Sequence, residues 1–299
     1  MLWSSYIQTP HYLDATRQIL LSNELRNLIK QHCGIFDRSR VLEVGCGTGC
    51  FLSYISAETY GINFVGIDRD EKFLENGKSV RNDNHVQYIK STVYDMPFEE
   101  NFFDTVCSHT FFNCVEDPYF AMKEIKRVAK EGAYISSITS MAFDSTMMYE
   151  GNYPKECKWN NLLKKLKHEY RLILESLCLG PNGISSGIST AEMPSFFCQN
   201  GLKKVSTFPI GYSFSLSDSY LTIEEKKRFN ENMYVGEIAQ LDELCGYKRF
   251  LDLFPYNKIQ ELKRLLKEKH DFWIENINDD TIWEWIGGSM LLVSGINKK

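Results

Sequence analysis

Residues 40–50, Arg-Val-Leu-Glu-Val-Gly-Cys-Gly-Thr-Gly-Cys, constrain the fold more than any other stretch of the chain. Val41, Leu42 and Val44 form an apolar run of the kind that a parallel sheet buries on both faces, and three alternate glycines follow at once. Gly45, Gly47 and Gly49 permit backbone conformations closed to other residues, so a ligand can approach the main chain closely. Beyond them, Phe51, Leu52 and Ile55 give residues 50–56 the pattern of a sheet-facing helix. Strand, glycine turn and helix together make a βα unit, and such a turn suits a nucleotide-like ligand.

The same rhythm continues. A second buried strand is predicted over 62–67, ending at Asp68, and Asp70-Glu71 then open a helix whose dipole they suit. Further strands are predicted at 85–90 and 104–109, then a helix over 118–130 stopped by Gly132, then a fifth strand over 133–139. One or two helices over 11–33, closed by Gly34, precede the first strand. Strands alternating with helices describe an α/β fold with a Rossmann-like, doubly wound sheet.

After Thr139 the rhythm breaks. Residues 143–187 hold one strong helical pattern, around 159–177, and a Gly/Ser-rich turn, which reads as an insertion. A helix over 190–199 and a strand over 204–210 resume the core. A second helical insertion over 217–285 follows, with Ile259, Leu262, Leu265, Leu266 and Phe272 on one helix face. A final strand is predicted at 289–296. The expected organisation is N-terminal helices and binding core over 1–142, a helical lid over 143–187, core again over 188–216, a second helical lid over 217–285 and a last core strand over 286–299. No internal repeat is present.

Composition narrows the function. A net charge of −5 argues against a protein that works by neutralising nucleic-acid phosphates. The nine cysteines form an odd set without a Cys-x-x-Cys pair, and Cys46 and Cys50 have no His or Cys cluster near them, so reduced thiols and no metal site are expected. No apolar run approaches the ~18–20 residues of a membrane span or has signal-peptide form. A cytoplasmic protein without stable membrane insertion is the expectation.

Ligands of open α/β sheets bind outside the carboxyl ends of the strands. Those ends carry the glycine turn, Asp68, the run Ser91-Thr92-Val93-Tyr94-Asp95, and Ser108-His109-Thr110. An acid ending the second strand can accept hydrogen bonds from both hydroxyls of a ribose, or it can cap the following helix. The glycine spacing is G-x-G-x-G, not the G-x-G-x-x-G of dinucleotide sites, and Glu43 stands immediately before it.

On these residues the chain resembles a known family. Val-Leu-Glu-Val-Gly-Cys-Gly-Thr-Gly at 41–49, Val-Gly-Ile-Asp at 65–68, Met-Pro-Phe-Glu-Glu-Asn-Phe-Phe-Asp-Thr-Val at 96–106 and Glu124-Ile125-Lys126-Arg127-Val128 before Gly132 are similar to class I S-adenosylmethionine-dependent methyltransferases. The resemblance is strongest to the small-molecule branch of ubiquinone-biosynthesis type. It covers roughly 38–140, more weakly 190–210 and 288–296, and neither insertion.

The resemblance implies a seven-stranded sheet and the cofactor S-adenosylmethionine, with S-adenosylhomocysteine as product and no metal. It implies cofactor contacts from Glu43, Gly45, Cys46, Gly47 and Gly49, with Glu43 near the amino group. Further contacts come from Asp68, which would hold the ribose hydroxyls, from Arg69, and from Thr92, Val93 and Asp95 beside the adenine. Ser108 and His109 would face the cofactor at the fourth strand, and Tyr6 and Tyr12 would fold over it. The family often has Gly-Asp two positions into the third-strand exit; this chain has Ser91-Thr92, and Thr92 or Asp95 would have to accept from the adenine amino group.

Methyl transfer asks mainly for alignment and exclusion of water. An acceptor that loses a proton also needs a base, for which His109 is the candidate, the alternative being a residue that only packs against the cofactor. In the family the acceptor lies under the N-terminal helix and the enlarged loops, and those loops are aromatic here, with Tyr149, Tyr153, Trp159, Tyr170, Tyr212, Phe250, Trp273 and Trp285 among them. Most such rings are expected to be core of the added helices. Lys155, Lys158, Lys164, Lys165, Lys167 and Arg171 against Glu156 and Glu169 give one lid helix a basic face, read as a solvated surface, the alternatives being contact with a membrane surface or with an acidic partner. The expected function is methylation of a small molecule. The rivals are an RNA methyltransferase and a non-catalytic, cofactor-binding regulatory subunit.

Overall fold

The computed structural model describes residue 4 and residues 9–57, 59, 61–81, 86–140, 148–177 and 187–299. Strand β1 (Arg40–Val44) lies at the centre of a mixed sheet, because Val41, Leu42 and Val44 are all fully buried and need helices on both faces. Burying side chains of this size stabilises by roughly 1.5–3 kcal/mol each. Parallel to β1 run β2 (Asn63–Asp68) on one side and β4 (Phe103–His109) on the other. β3 (Val86–Lys90) lies outside β2, and β5 (Ala129–Ser140) outside β4.

The sheet is completed by later strands. β8 (Glu284–Ile296) runs antiparallel to β5, and β7 (Lys203–Ser215) runs antiparallel to β8, giving the order β3-β2-β1-β4-β5-β8-β7. These are the seven strands expected. A short extra strand, β6 (Met148–Gly151), pairs with Glu284–Gly287 and has no counterpart in the sequence reading. β7 and β8 also run further than expected, beyond the carboxyl edge of the parallel strands and into the helical part of the molecule.

Helices cover both faces. α1 (Pro10–Leu20) is started by Thr9, whose hydroxyl accepts from the Tyr12 N–H, and by Pro10 in its first turn. α2 (Arg26–Cys33), α3 (Cys50–Ser56) and α4 (Glu71–Val80) follow. α5 (Pro118–Val128) is capped by Asp117, which accepts from the Phe120 N–H at 2.9 Å. It ends two residues earlier than expected, since Ala129 turns extended and pairs with Phe103 at the start of β5. α7 (Met193–Gln199) packs Met193, Phe196 and Phe197 onto the same face as α5.

The two insertions form one helical layer. α6 (Trp159–Ser176) supplies Trp159, Leu163 and Leu174 to an apolar cluster completed by α8 (Ile223–Leu244), α9 (Lys248–Leu253) and α10 (Tyr256–Glu275). Thr222 and Glu225 close a reciprocal capping box at the start of α8. This layer rests on α1: a Cβ on Gly236 of α8 would lie 2.4 Å from the Tyr12 ring, so only glycine lets the two helices approach this closely. No described helix is long and apolar enough to cross a membrane.

Candidate functional site

The chain leaves β1 for β2 and β3 on one side and returns to β4 on the other, so the crevice outside the carboxyl ends of β1 and β4 is the switch point of the sheet. The glycine turn sits there. Gly45, Gly47 and Gly49 have φ of 67°, 55° and 76°, a region that a Cβ makes costly. The turn is pinned from below by Cys46, whose N–H donates to the Ile67 carbonyl at 2.9 Å, and closed by the Gly49 N–H on the Cys46 carbonyl at 2.8 Å.

Two carboxylates flank this turn. Asp68 accepts from the Gly47 N–H and from the Asp70 N–H, both at 2.8 Å, which uses one lone pair on each oxygen and leaves each oxygen another. Its burial pushes the carboxyl pKa up, and the two backbone donors oppose that shift. Glu43 is deeply buried, and its Oε2 has no hydrogen-bond partner among the described residues. Burial pushes its pKa well above the carboxylate range despite the opposing field of Arg17. A buried acceptor of this kind is costly until a donor or cation reaches it.

That cationic field comes from α1. The Arg17 guanidinium is lowered in pKa by burial, partly offset by Cys50, Cys114, Glu43 and Asp14. One turn earlier Leu13 meets the glycine turn, its Cδ2 3.0 Å from where a Gly47 Cβ would stand. Asp14 pairs with Arg81 at 2.8 Å and accepts from the Thr48 hydroxyl, while Arg81 also donates to the Thr48 carbonyl at 2.6 Å. Ser4 donates its N–H and hydroxyl to the two oxygens of Asp70, at 2.8 and 2.9 Å. Ser4 and α1 are thus tied to residues that flank the turn.

The end of β4 forms the opposite wall. His109 is buried, its ring centroid 5.5 Å from that of Phe51, and its Nε2 has no partner among the described residues. Burial, with Arg17 acting in the same direction, holds its pKa well below 6.5, so the imidazole is neutral at pH 7. Phe111 lies over the turn: a Cβ on Gly45 would stand 2.5 Å from its ring. Beneath, Asn113 accepts from the Thr139 hydroxyl at 2.6 Å and donates to the Ile188 carbonyl at 2.8 Å.

The expected residues divide accordingly. Glu43, Gly45, Gly47, Gly49, Asp68 and His109 converge on one crevice. Ser108 does not: the pleat turns it to the other face of β4, where its hydroxyl donates to Ser137 at 3.1 Å. Cys46 offers the crevice only backbone, since its sulfur packs against Gly66 of β2. Tyr12 faces α8 and not the turn, because it is offset around the helix from Leu13 and Arg17. Thr92 and Asp95 form a small bridge of their own and are exposed, with the Thr92 hydroxyl accepting from the Tyr94 N–H at 3.3 Å; Val93 is buried beneath them. Arg69 pairs with Glu116 at 3.4 Å on the surface. Tyr6 lies outside the described residues.

Arg17, Asp14 and Phe111 were not foreseen as site residues. The available signal was Arg17 standing one turn on from both Leu13 and Asp14, which puts charges beside an apolar residue on a short helix. Most insertion aromatics belong to core. Tyr153 packs edge-on to Trp159, Phe272 and Trp273, and Tyr170 does the same with Phe250.

Comparison with known proteins agrees with this geometry. Residues 42–137 match the family model described as a methyltransferase domain. The chain is 29 % identical over 134 residues to an uncharacterised methyltransferase of Schizosaccharomyces pombe, covering 42 % of this chain and 46 % of that protein. It is 27 % identical over 158 residues to demethylmenaquinone methyltransferase of Staphylococcus saprophyticus, covering 50 % of this chain and 67 % of that protein. The chain therefore spans about half to two thirds of the length of these curated relatives. Phosphoethanolamine N-methyltransferase 2 of Haemonchus contortus, solved with phosphomonomethylethanolamine and S-adenosylhomocysteine, superposes with a TM-score of 0.50 at 17 % identity, covering 97 % of this chain and 58 % of that one. That likeness shows the fold, the Rossmann-like sheet of class I methyltransferases.

Proposed function

Taking residues 42–137 as a class I methyltransferase domain, we propose that this chain transfers the methyl group of S-adenosylmethionine to a small-molecule acceptor enclosed between α1, the strand ends and the helical layer. The observation that carries the reading is the glycine turn at the switch point with two carboxylates beside it, one of them, Glu43, holding an unpartnered buried oxygen. The residues fit the cofactor part by part. Glu43 accepts from the ammonium group, and Arg17 answers the carboxylate. Asp68 retains lone pairs for the ribose hydroxyls. The turn glycines leave room for the chain between them.

The cofactor supplies a methyl group already activated on a sulfonium. The protein's part is then alignment and the exclusion of water. Leu13, Phe111 and Phe51 make the walls apolar around the reacting end. His109 presents its free Nε2 to the acceptor; held neutral, it is in the form that can take a proton, although the neighbouring Arg17 penalises the imidazolium. A hydrogen-bonding role that orients the acceptor fits this environment better than that of a strong base.

The test is calorimetric titration of the purified protein with S-adenosylmethionine and S-adenosylhomocysteine, followed by mass spectrometry of cell extract incubated with methyl-labelled donor. Binding with a labelled small product supports the reading. Label on RNA would move the assignment to nucleic acid, binding without any labelled product would make the chain a regulatory subunit, and absence of binding would end the proposal.

A further inference from the structure

A further cleft lies apart from the glycine turn, against β7, the outermost described strand at its end of the sheet. Its volume is about 730 Å³, within the range of a small-molecule site, and none of the crevice residues lines it. The connection from α1 to α2 supplies Ser22 and Glu24, and the turn after β7 supplies Asp218 and Tyr220. Glycines keep it open. Gly211 of β7 lines it, and a Cβ there would meet nothing within 4 Å. On β8, a Cβ on Gly287 would stand 2.4 Å from Cζ3 of Trp285, so the absence of a side chain lets the indole lie along the strand.

Aromatic rings and one sign of charge characterise the lining. Besides Trp285 it includes Tyr212, half-buried, and Tyr220, which is 94 % exposed and so leaves almost its whole ring in water beside the cleft. Asp218 accepts from the Tyr220 N–H at 3.0 Å and fixes that residue's main chain. Among the described lining residues, Glu24 and Asp218 alone carry charge, and both are acids. The Ser22 hydroxyl donates to Glu24 and holds its pKa below the ordinary carboxylate value, so Glu24 is ionised at pH 7. Arg26, whose charge also acts on Glu24, does not line the cleft; its guanidinium lies over the Tyr54 ring, 5.2 Å from the centroid.

Carboxylates attract a cation, and so do the faces of Trp and Tyr, which also cover methyl and methylene groups. An anion is repelled by both acids. An inorganic cation leaves the rings unused, and an apolar molecule leaves the charges unused. We propose that this cleft binds an organic ammonium ion, with Glu24 and Asp218 supplying the charge and Tyr212, Tyr220 and Trp285 receiving its carbon groups. The site goes beyond the methyl-transfer reading and does not rest on it, because it shares no residue with the crevice.

The experiment titrates the full chain at pH 7 with choline and with ethanolamine, a quaternary and a primary ammonium ion, and with dimethylbutanol, the uncharged carbon isostere of choline. Ligand-observed NMR follows saturation, and S-adenosylhomocysteine is titrated separately. The expected result is saturable binding of at least one ammonium ion, about fivefold or more tighter than the alcohol and weaker as salt is raised. The double variant Glu24→Gln with Asp218→Asn keeps the shape of both side chains and an acceptor for the Tyr220 N–H, and its ammonium affinity falls about tenfold. Tyr220→Ala weakens binding about threefold or more with an unchanged melting temperature, since the ring is exposed. Gly211→Val places a side chain in the cleft at a strand position whose φ is not positive, so it keeps the fold and loses the ligand. S-adenosylhomocysteine affinity is the same in all three variants. No saturable ammonium binding, equal binding of the alcohol, or an affinity that survives the double variant or Gly211→Val would each overturn the site. Failure of S-adenosylhomocysteine to bind the unaltered chain would instead overturn the methyl-transfer reading, with the ammonium titrations still deciding the cleft.

Discussion

Gly47 donates its backbone N–H to Asp68 Oδ2 at 2.8 Å, so one carboxylate both shapes the glycine turn and faces the space the turn encloses. The relationship predicts a graded response. Asp68→Asn keeps an acceptor for Gly47 but loses the charge, whereas Asp68→Ala loses both. S-adenosylhomocysteine binding should weaken by about 1–3 kcal/mol in the Ala variant and by less in the Asn variant. Calorimetry on the two proteins decides it, and equal, unchanged affinities would remove Asp68 from the ribose site.

Much of that site could be read from the chain itself because β1, the turn and β2 are local in sequence and each carries a strong pattern: a fully apolar strand, three φ-demanding glycines, an acid at a strand end. Ser108 was misplaced because a strand end was treated as a single point, when the pleat sends Ser108 and His109 to opposite faces. Arg17 and Asp14 went unread for a different reason. Their meaning arises from the charge of Glu43, which acts on Arg17, and from the pairing of Asp14 with Arg81, both far along the chain, and helical periodicity alone does not say what a charged face will meet. The same limit applied to β6, which exists only because β8 extends far enough to offer it an edge.

Glu43 makes stability depend on pH in a direction opposite to that of an ion-paired acid. Its native pKa is raised, so the folded state keeps a proton that the unfolded chain releases above ~4.3. The stability it contributes is complete below that value and is lost as pH rises through the native pKa. His109, with its pKa depressed, acts the other way and loses stability as pH falls below ~6.5. The difference between the unaltered protein and Glu43→Gln isolates the first effect. The variant's melting temperature should fall less between pH 5 and pH 8 in the absence of ligand, and S-adenosylhomocysteine should bind it more weakly.

Arg17 is separable from the rest of the cofactor site by ligand truncation. If its guanidinium answers the amino-acid carboxylate, Arg17→Met weakens S-adenosylhomocysteine by about 1–3 kcal/mol and leaves 5′-methylthioadenosine, which lacks that group, nearly unaffected. Equal losses for both ligands would assign Arg17 to the closing of α1 and not to recognition.

His109 has two possible roles that kinetics can divide. As the group that orients the acceptor, it should affect turnover by about tenfold in His109→Ala, with less than about threefold change in cofactor affinity. As a general base it should account for about a hundredfold or more, and the rate of the unaltered enzyme should drop only well below pH 6.5, where a depressed imidazole gains its proton. The environment favours the smaller effect.

The pair Asp14–Arg81 predicts how the cofactor enters and leaves. At 2.8 Å, with side-chain exposures of 23 % and 12 %, it is sheltered enough to matter, and through Thr48 it ties α1 to the turn that α1 covers. For a ligand seated beneath Leu13, exchange is expected to require that this contact or the Ser4–Asp70 bonds open. Removing one partner leaves Arg81 with its bond to the Thr48 carbonyl but without its counter-charge, at a cost of roughly 1–3 kcal/mol. Asp14→Ala should therefore raise the dissociation rate of S-adenosylhomocysteine about tenfold or more in stopped-flow displacement, with a smaller change in the association rate. The Ser4→Ala change removes only the hydroxyl bond and should give a milder acceleration of the same kind. If both variants release ligand at the unaltered rate, α1 is a fixed wall, and exchange must run along another edge of the crevice.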